Sequence, residues 1–291
     1  MADLHDNFLG LPQKQSDYHR ARFAVLPIPY DSTTSFQVGT RAGPRAIITA
    51  SQQVELFDEA LARDSSAAGV ATLRQVAPEM AGPADQVRAV FNAARKPVAD
   101  GKFLIGIGGE HSITSGLVRA VMTRHKRLSV LQIDAHADLR DEYEGSPWSH
   151  ASVMRRVLDL GATIAPVGIR NYSRQEHRFM RAQGISPISA RDCRNNADWI
   201  SAAVRMLTSP VYVTIDIDGF DPSCAPGTGT PEPGGLDWYQ VTDLLQAVTK
   251  AHRVVAADVV EVMPIPGSMQ TEFLAAKLLY RLIGLVASQR R

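Results

Sequence analysis

The chain has 291 residues, 45% hydrophobic and 21% charged, which is ordinary for a globular protein long enough to bury a large core. Its 31 Lys+Arg and 30 Asp+Glu leave a formal net charge of +1, a near-balance that argues against a nucleic-acid binder or a polybasic membrane-surface protein. No apolar run approaches the ~18 residues of a spanning helix, the start MADLHDNFLG lacks the apolar segment of a secretory signal, and the two cysteines, Cys193 and Cys224, have no metal-like spacing, so a reducing cytoplasm is expected.

Along the chain, short apolar runs rich in β-branched residues alternate with longer helical patterns. Strands are predicted over 23–28, 103–107, 128–133, 164–169, 211–217 and 254–260, nearly continuous apolar runs as in strands covered on both faces. Helices are predicted over 83–99, 112–125, 150–160, 174–184, 197–207, 237–251 and 271–283, with Asp237 as a cap. This β-α-β order predicts an α/β fold, a parallel sheet covered by helices. A single domain is expected, with 1–20 as an N-terminal arm. Two segments break the alternation, the polar 139–149 (LRDEYEGSPWS) and the Gly/Pro-dense 219–235 (GFDPSCAPGTGTPEPGG). Both follow a strand, and ligands of open parallel sheets bind outside the carboxyl ends of strands, so both loops belong to one functional edge.

Three clusters of metal-ligand residue types end three of these strands. Asp134, His136 and Asp138 follow LSVLQI at i, i+2 and i+4, a spacing that puts them on one face of an extended chain. Asp216 and Asp218 repeat the pattern after VYVTI, and GGEH places His111 at a helix start after FLIGI. Bare carboxylates on adjacent strand ends repel unless a cation lies between them. Read singly, each cluster also fits hydrogen bonding or solvation; read together they offer two imidazoles and four carboxylates, whose charge balances two divalent ions. The absence of thiolates argues against structural zinc and iron–sulfur clusters, and such a donor set suits Mn²⁺, with Fe, Co, Ni or Zn as substitutes. Two such ions activate a shared water near neutral pH, so hydrolysis is the expected reaction class.

GGEHS, DAHADLR and DIDGFDPSCAPGTGTPEPGG, in that order, together with PIPYDSTTSFQVGTRAGPRAI and VVEVMPIPG, resemble the signature blocks of the ureohydrolase family, which includes arginase and agmatinase. The resemblance covers nearly the whole chain. It implies a three-layer α/β/α domain with a mostly parallel sheet, two Mn²⁺ per subunit, and hydrolysis of a guanidino group to urea and an amine. It assigns one ion to His111, Asp134, Asp138 and Asp216, and the other to Asp134, His136, Asp216 and Asp218. His150 matches the family's catalytic histidine outside the ligand set, and its ordinary pKa suits proton transfer. Glu261 matches the glutamate that pairs with the guanidinium. The family also implies a homo-oligomer, a trimer or hexamer.

The arginase readers of an amino acid's α-groups are altered here: Arg140 and Asn171 stand in their places as candidate substrate-binding residues. That lowers arginine and leaves agmatine as first expectation, favoured by the net acidic loop Arg140–Glu144 against the substrate's ammonium. A guanidinobutyrase or other guanidino-acid hydrolase is second, with Arg140 or Arg170 meeting a carboxylate. Outside this class stand a single-zinc deacetylase-like enzyme, a dinuclear phosphoesterase and a non-catalytic metal-binding protein. Asp258 is expected short of the edge, Asp221 and Glu232 are expected to brace their loop, and Tyr143, Trp148 and Tyr172 are candidate mouth residues.

Overall fold

Each of the six apolar runs forms a strand, because aliphatic and β-branched side chains pack well on a pleated surface covered on both sides. The computed structural model describes residues 6–289. In chain order the strands are β1 (Phe23–Ile28), β2 (Phe57–Asp58), β3 (Arg63–Asp64), β4 (Val70–Thr72), β5 (Phe103–Gly108), β6 (Ser129–Ile133), β7 (Thr163–Ile169), β8 (Ile188–Ser189), β9 (Val211–Asp216) and β10 (Val254–Val260). β2 and β3 form a separate antiparallel ribbon. The other eight make one sheet in the order β4-β1-β5-β10-β9-β6-β7-β8, in which every pairing is parallel. The edge strands β4 and β8 are three and two residues long, too short to show as apolar runs.

Alternate residues of each strand feed cores on opposite faces. Leu104, Val130, Tyr212 and Ala256 pack against helices Pro83–Ala99, Thr114–Met122 and Val153–Asp159. Ile105, Leu131, Val213 and Ala257 pack against Gly43–Ser51, Trp199–Met206, Trp238–Ala251 and Gln270–Ala287. This is the expected three-layer α/β/α architecture. Asp237 caps its helix as expected, its carboxylate accepting the Gln240 N–H at 2.8 Å while the Gln240 side chain accepts the Asp237 N–H at 2.9 Å. Helix Gly43–Ser51 escapes a sequence reading because it opens on Gly-Pro, a turn signal, although proline suits a first helical turn.

The N-terminal segment expected as an arm packs against the domain over part of its length. Its segment 8–11 docks into the core: Phe8, Leu9 and Leu11 are buried, and the Leu9 N–H donates to Ser51 Oγ at 2.8 Å, while 12–20 run exposed or half-buried over the surface. Three large apolar side chains in four residues favour docking over extension into water. Residues 1–5 of that arm lie outside the described residues. Among the described residues no helix is long and apolar enough to cross a membrane.

Candidate active site

β5, β10, β9 and β6 are consecutive neighbours at the centre of the sheet, and the polar residues sit at their carboxyl ends. The turn after β5 requires Gly109, since a Cβ there would lie 2.0 Å from the Tyr30 carbonyl oxygen. That close approach is stitched by Gly109 N–H to Ile28 O at 2.9 Å and Glu110 N–H to Tyr30 O at 2.7 Å. Two site residues, Asp138 at φ 53° and Glu261 at φ 62°, hold a left-handed backbone, which aspartate tolerates better than most residues and glutamate seldom adopts, as at other functional sites.

His111, Asp134 and Asp216 each offer a ligand atom within 4.8 Å of the others, and Asp134, His136 and Asp218 form a second such group that shares Asp134. His111 Nδ1 lies 3.2 Å from Asp134 Oδ2, 3.0 Å from Asp138 Oδ2 and 3.4 Å from Asp216 Oδ2. His136 Nδ1 lies 2.9 Å from Asp218 Oδ2 and 3.8 Å from Asp134 Oδ1. All six predicted ligand residues therefore meet at one rim.

The structure tests whether a cation fits there. His111 Nε2 is 2.9 Å from Thr214 Oγ1, and that hydroxyl spends its one hydrogen on Asp258 Oδ1 at 2.6 Å. Thr214 can then only accept, so Nε2 carries a proton, and Nδ1, which the three carboxylates hold protonated without a metal, offers its lone pair once a cation takes that proton's place. Nδ1 is buried without a hydrogen-bond partner and faces three carboxylates, an arrangement that a cation completes. The charges agree. Burial and the charges of Asp218 and Asp134 push the Asp216 carboxyl well above the usual range, and burial with Asp134 pushes Asp138 up to about 7. Burial opposes a charge on His136, yet Asp218 carries its pKa up to about 11. Each shift records negative charge that lacks a counter-ion.

A cavity of about 180 Å³ opens over the rim, lined by His136, Asp138, Asp216, Asp218, His150 and Glu261. Glu261 Oε1 accepts the His111 N–H at 2.7 Å; burial, then the charge of Glu110, drives its pKa well above normal. His150 follows the cap Ser149, and burial lowers its pKa to about 4, so it is neutral at working pH. Its ring meets that of Tyr143 edge-on at 5.9 Å.

Arg140 and Asn171 line the cavity wall. The Arg140 guanidinium lies 4.7 Å from the Tyr143 ring centroid, with Nε 3.9 Å from Glu176 Oε2. The Asn171 amide donates to Glu232 Oε1. Arg170 is spent on main-chain carbonyls, among them Asp218 O and Glu232 O at 2.7 Å each, so it braces the 219–235 loop rather than meeting a substrate. Asp221 braces that loop as expected: bonds from Ser223, Gly234 and Gly235 lower its carboxyl to about 2. Glu232 does more than expected, since its Oε1 also stands 3.7 Å from His136 Nε2. Of the aromatic candidates, Tyr143 and Tyr172 line the cavity, whereas Trp148 borders a separate pocket with Arg119 and Arg156. Sequence reasoning missed the supporting groups. Asp258 stays short of the edge, as expected, but accepts hydrogen bonds from Thr114, Tyr212 and Thr214 and thereby orients His111. Gln132 donates to Asp134 Oδ2 at 3.0 Å. Thr33 to Gln37, after β1, form part of the cavity wall or its support; the PIPYDSTTSF block was the available signal.

A family model described as the arginase family matches residues 21–284, and the chain belongs to that family. It is an amidinohydrolase of the ureohydrolase type. It is 41% identical over 284 residues to an N(1)-aminopropylagmatine ureohydrolase of Synechocystis, covering 95% of this chain and 92% of the relative. It is 35% identical to an agmatinase of Pyrococcus horikoshii, covering 93% of this chain and 94% of that one. The crystal structure of the agmatine ureohydrolase of Thermoplasma volcanium superposes with a TM-score of 0.86 at 33% identity, covering 97% of this chain and 94% of that one.

Proposed function

We propose that the chain hydrolyses a guanidine carrying an alkylamine tail, N1-aminopropylagmatine ahead of agmatine, to urea and a polyamine. The observation that carries this reading is the convergence of Glu261 and His150 on one cavity with the two His/Asp groups. Glu261 is a buried carboxyl that ionises readily only against a cation, and a guanidinium supplies both the charge and paired N–H donors. His150, neutral and beside the cavity, would take a proton from the attacking water and pass it to the leaving amine, ending neutral again. Two Mn²⁺ ions would be held by His111, Asp134, Asp138 and Asp216 and by Asp134, His136, Asp216 and Asp218. When bound, such a pair supplies an activated water as nucleophile at neutral pH.

The mouth favours an amine tail over a carboxylate through its π and apolar surfaces. Arg170 is engaged by carbonyls, which leaves the guanidino-acid reading with one candidate cation, Arg140, and that one stacks on Tyr143 with Nε 3.9 Å from Glu176 Oε2. Phe36, 74% exposed, and Tyr172, 44% exposed, stand at the rim as apolar and π surfaces for an aminopropyl extension and its ammonium. By family resemblance we place the protein in the cytoplasm, in polyamine formation, as a homotrimer or homohexamer. Urea release after Mn²⁺ loading, compared for N1-aminopropylagmatine, agmatine, 4-guanidinobutyrate and arginine, tests the reading. We expect that order of kcat/KM; preference for either carboxylate-bearing compound would overturn it.

A further inference from the structure

We propose that Thr33 is a positioning residue that holds His150 in the tautomer with its proton on Nδ1, leaving the Nε2 lone pair for the cavity. The inference rests on the reading of His150 as proton carrier. It starts from Glu110, a fully buried glutamate beside the cluster that no predicted role uses. Glu110 Oε2 accepts the Thr33 N–H at 2.6 Å, its Oε1 accepts the Thr33 hydroxyl at 2.6 Å, and Oε1 also accepts the Ser112 hydroxyl. Three donors converge on one carboxylate, so the Thr33 hydroxyl hydrogen is committed to it.

A hydroxyl owns one hydrogen and two lone pairs. Thr33 Oγ1 can therefore only accept from the other side. One lone pair takes the His150 N–H at 3.0 Å, and the other faces His150 Nδ1 at 3.3 Å. That second contact is attractive when Nδ1 bears a proton and repulsive when it bears a lone pair. Ser149 Oγ, 3.4 Å from Nδ1, accepts the Ala151 N–H at 3.3 Å and keeps a hydrogen with which it competes for the opposite tautomer, but it lies farther from Nδ1 than Thr33 Oγ1 does. Thr33 is itself fixed on a rigid loop, because Asp31 accepts the Gly39 N–H at 2.9 Å and the Arg41 N–H at 3.2 Å and pairs with the Arg41 side chain. The device repeats on a second imidazole the logic of Asp258, Thr214 and His111: a buried carboxylate orients a threonine hydroxyl, and the hydroxyl selects the imidazole tautomer.

The full chain as wild type, Thr33→Val, Thr33→Ser and His150→Asn decides this. In metal-free, ¹⁵N-histidine-labelled protein, the His150 resonances, identified by their loss in His150→Asn, should show a protonated Nδ1 and an unprotonated Nε2. Thr33→Val should lose that preference and Thr33→Ser keep it. With Mn²⁺ loaded, Thr33→Val should retain its metal content and lower kcat about 10- to 100-fold with KM little changed, while Thr33→Ser recovers most of kcat. A wild-type His150 protonated on Nε2, or a Thr33→Val kcat within twofold of wild type, would overturn the proposal. The first result stands even should Thr33→Val fail to fold. If His150→Asn binds metal and turns over at the wild-type rate, the proton-carrier reading fails instead.

Discussion

Thr214→Val removes one oxygen from beneath the cation cluster and keeps the side-chain volume. In the wild type that oxygen donates to Asp258 Oδ1 at 2.6 Å and stands 2.9 Å from His111 Nε2. The substitution orphans a buried N–H on His111 and one lone pair of Asp258. An orphaned buried polar group costs about 1–3 kcal/mol, so two would cost at most about 2–6 kcal/mol. Asp258 keeps its bonds from Tyr212 and Thr114, which points to the lower half of that range. The same change frees the His111 ring to rotate or to move its proton to Nδ1, where it blocks a cation. Losing such an outer partner weakens metal affinity about 10- to 100-fold. Equilibrium dialysis with Mn²⁺, quantified per chain, should show one site weakened by that factor and the site of His136 less affected. Thermal unfolding of the metal-free variant should show the stability loss. Two Mn²⁺ affinities within twofold of wild type would refute the claim that the Asp258–Thr214 pair directs His111 Nδ1 at a cation.

Gly109→Ala should destabilise the protein by about 1–3 kcal/mol or more and abolish turnover, because its Cβ would lie 2.0 Å from the Tyr30 carbonyl oxygen and push His111 off the rim; circular dichroism melting and urea release check both. Arg281→Ala should cost towards the lower end of about 3–5 kcal/mol in denaturant titration, since Arg281 is buried in the helix Gln270–Ala287, where it pairs with Asp58 and donates to Glu59 at 2.9 Å, and its loss leaves the buried Asp58 carboxylate with only the N–H bonds of Ala60 and Leu61. His150 has a folded-state pKa of about 4, below its unfolded value, so the unfolded chain binds more protons between the two. The His150 contribution to the stability of the metal-free protein should therefore be lost as pH drops from about 6.5 towards 4, and His150→Asn should gain stability relative to wild type across that window by roughly 2–4 kcal/mol in melts at matched pH.

The strand interiors and the grouping of candidate ligand residues at strand ends were legible in the sequence alone. Continuous runs such as SVLQI and VYVTI have few other ways to bury both of their faces, and carboxylates at i and i+2 past a strand end must share a face whatever the rest of the chain does. The short edges β4 and β8, the burial of Phe8 and Leu11 and the helix behind Gly43-Pro44 were decided by tertiary packing, since each depends on neighbours distant in the chain. The same holds for the support of the site. Asp258 is 147 residues from His111, and Thr33 is 117 from His150; no local pattern marks either partnership. Their roles arise because a hydroxyl has one hydrogen to give, and only the fold decides which buried carboxylate receives it.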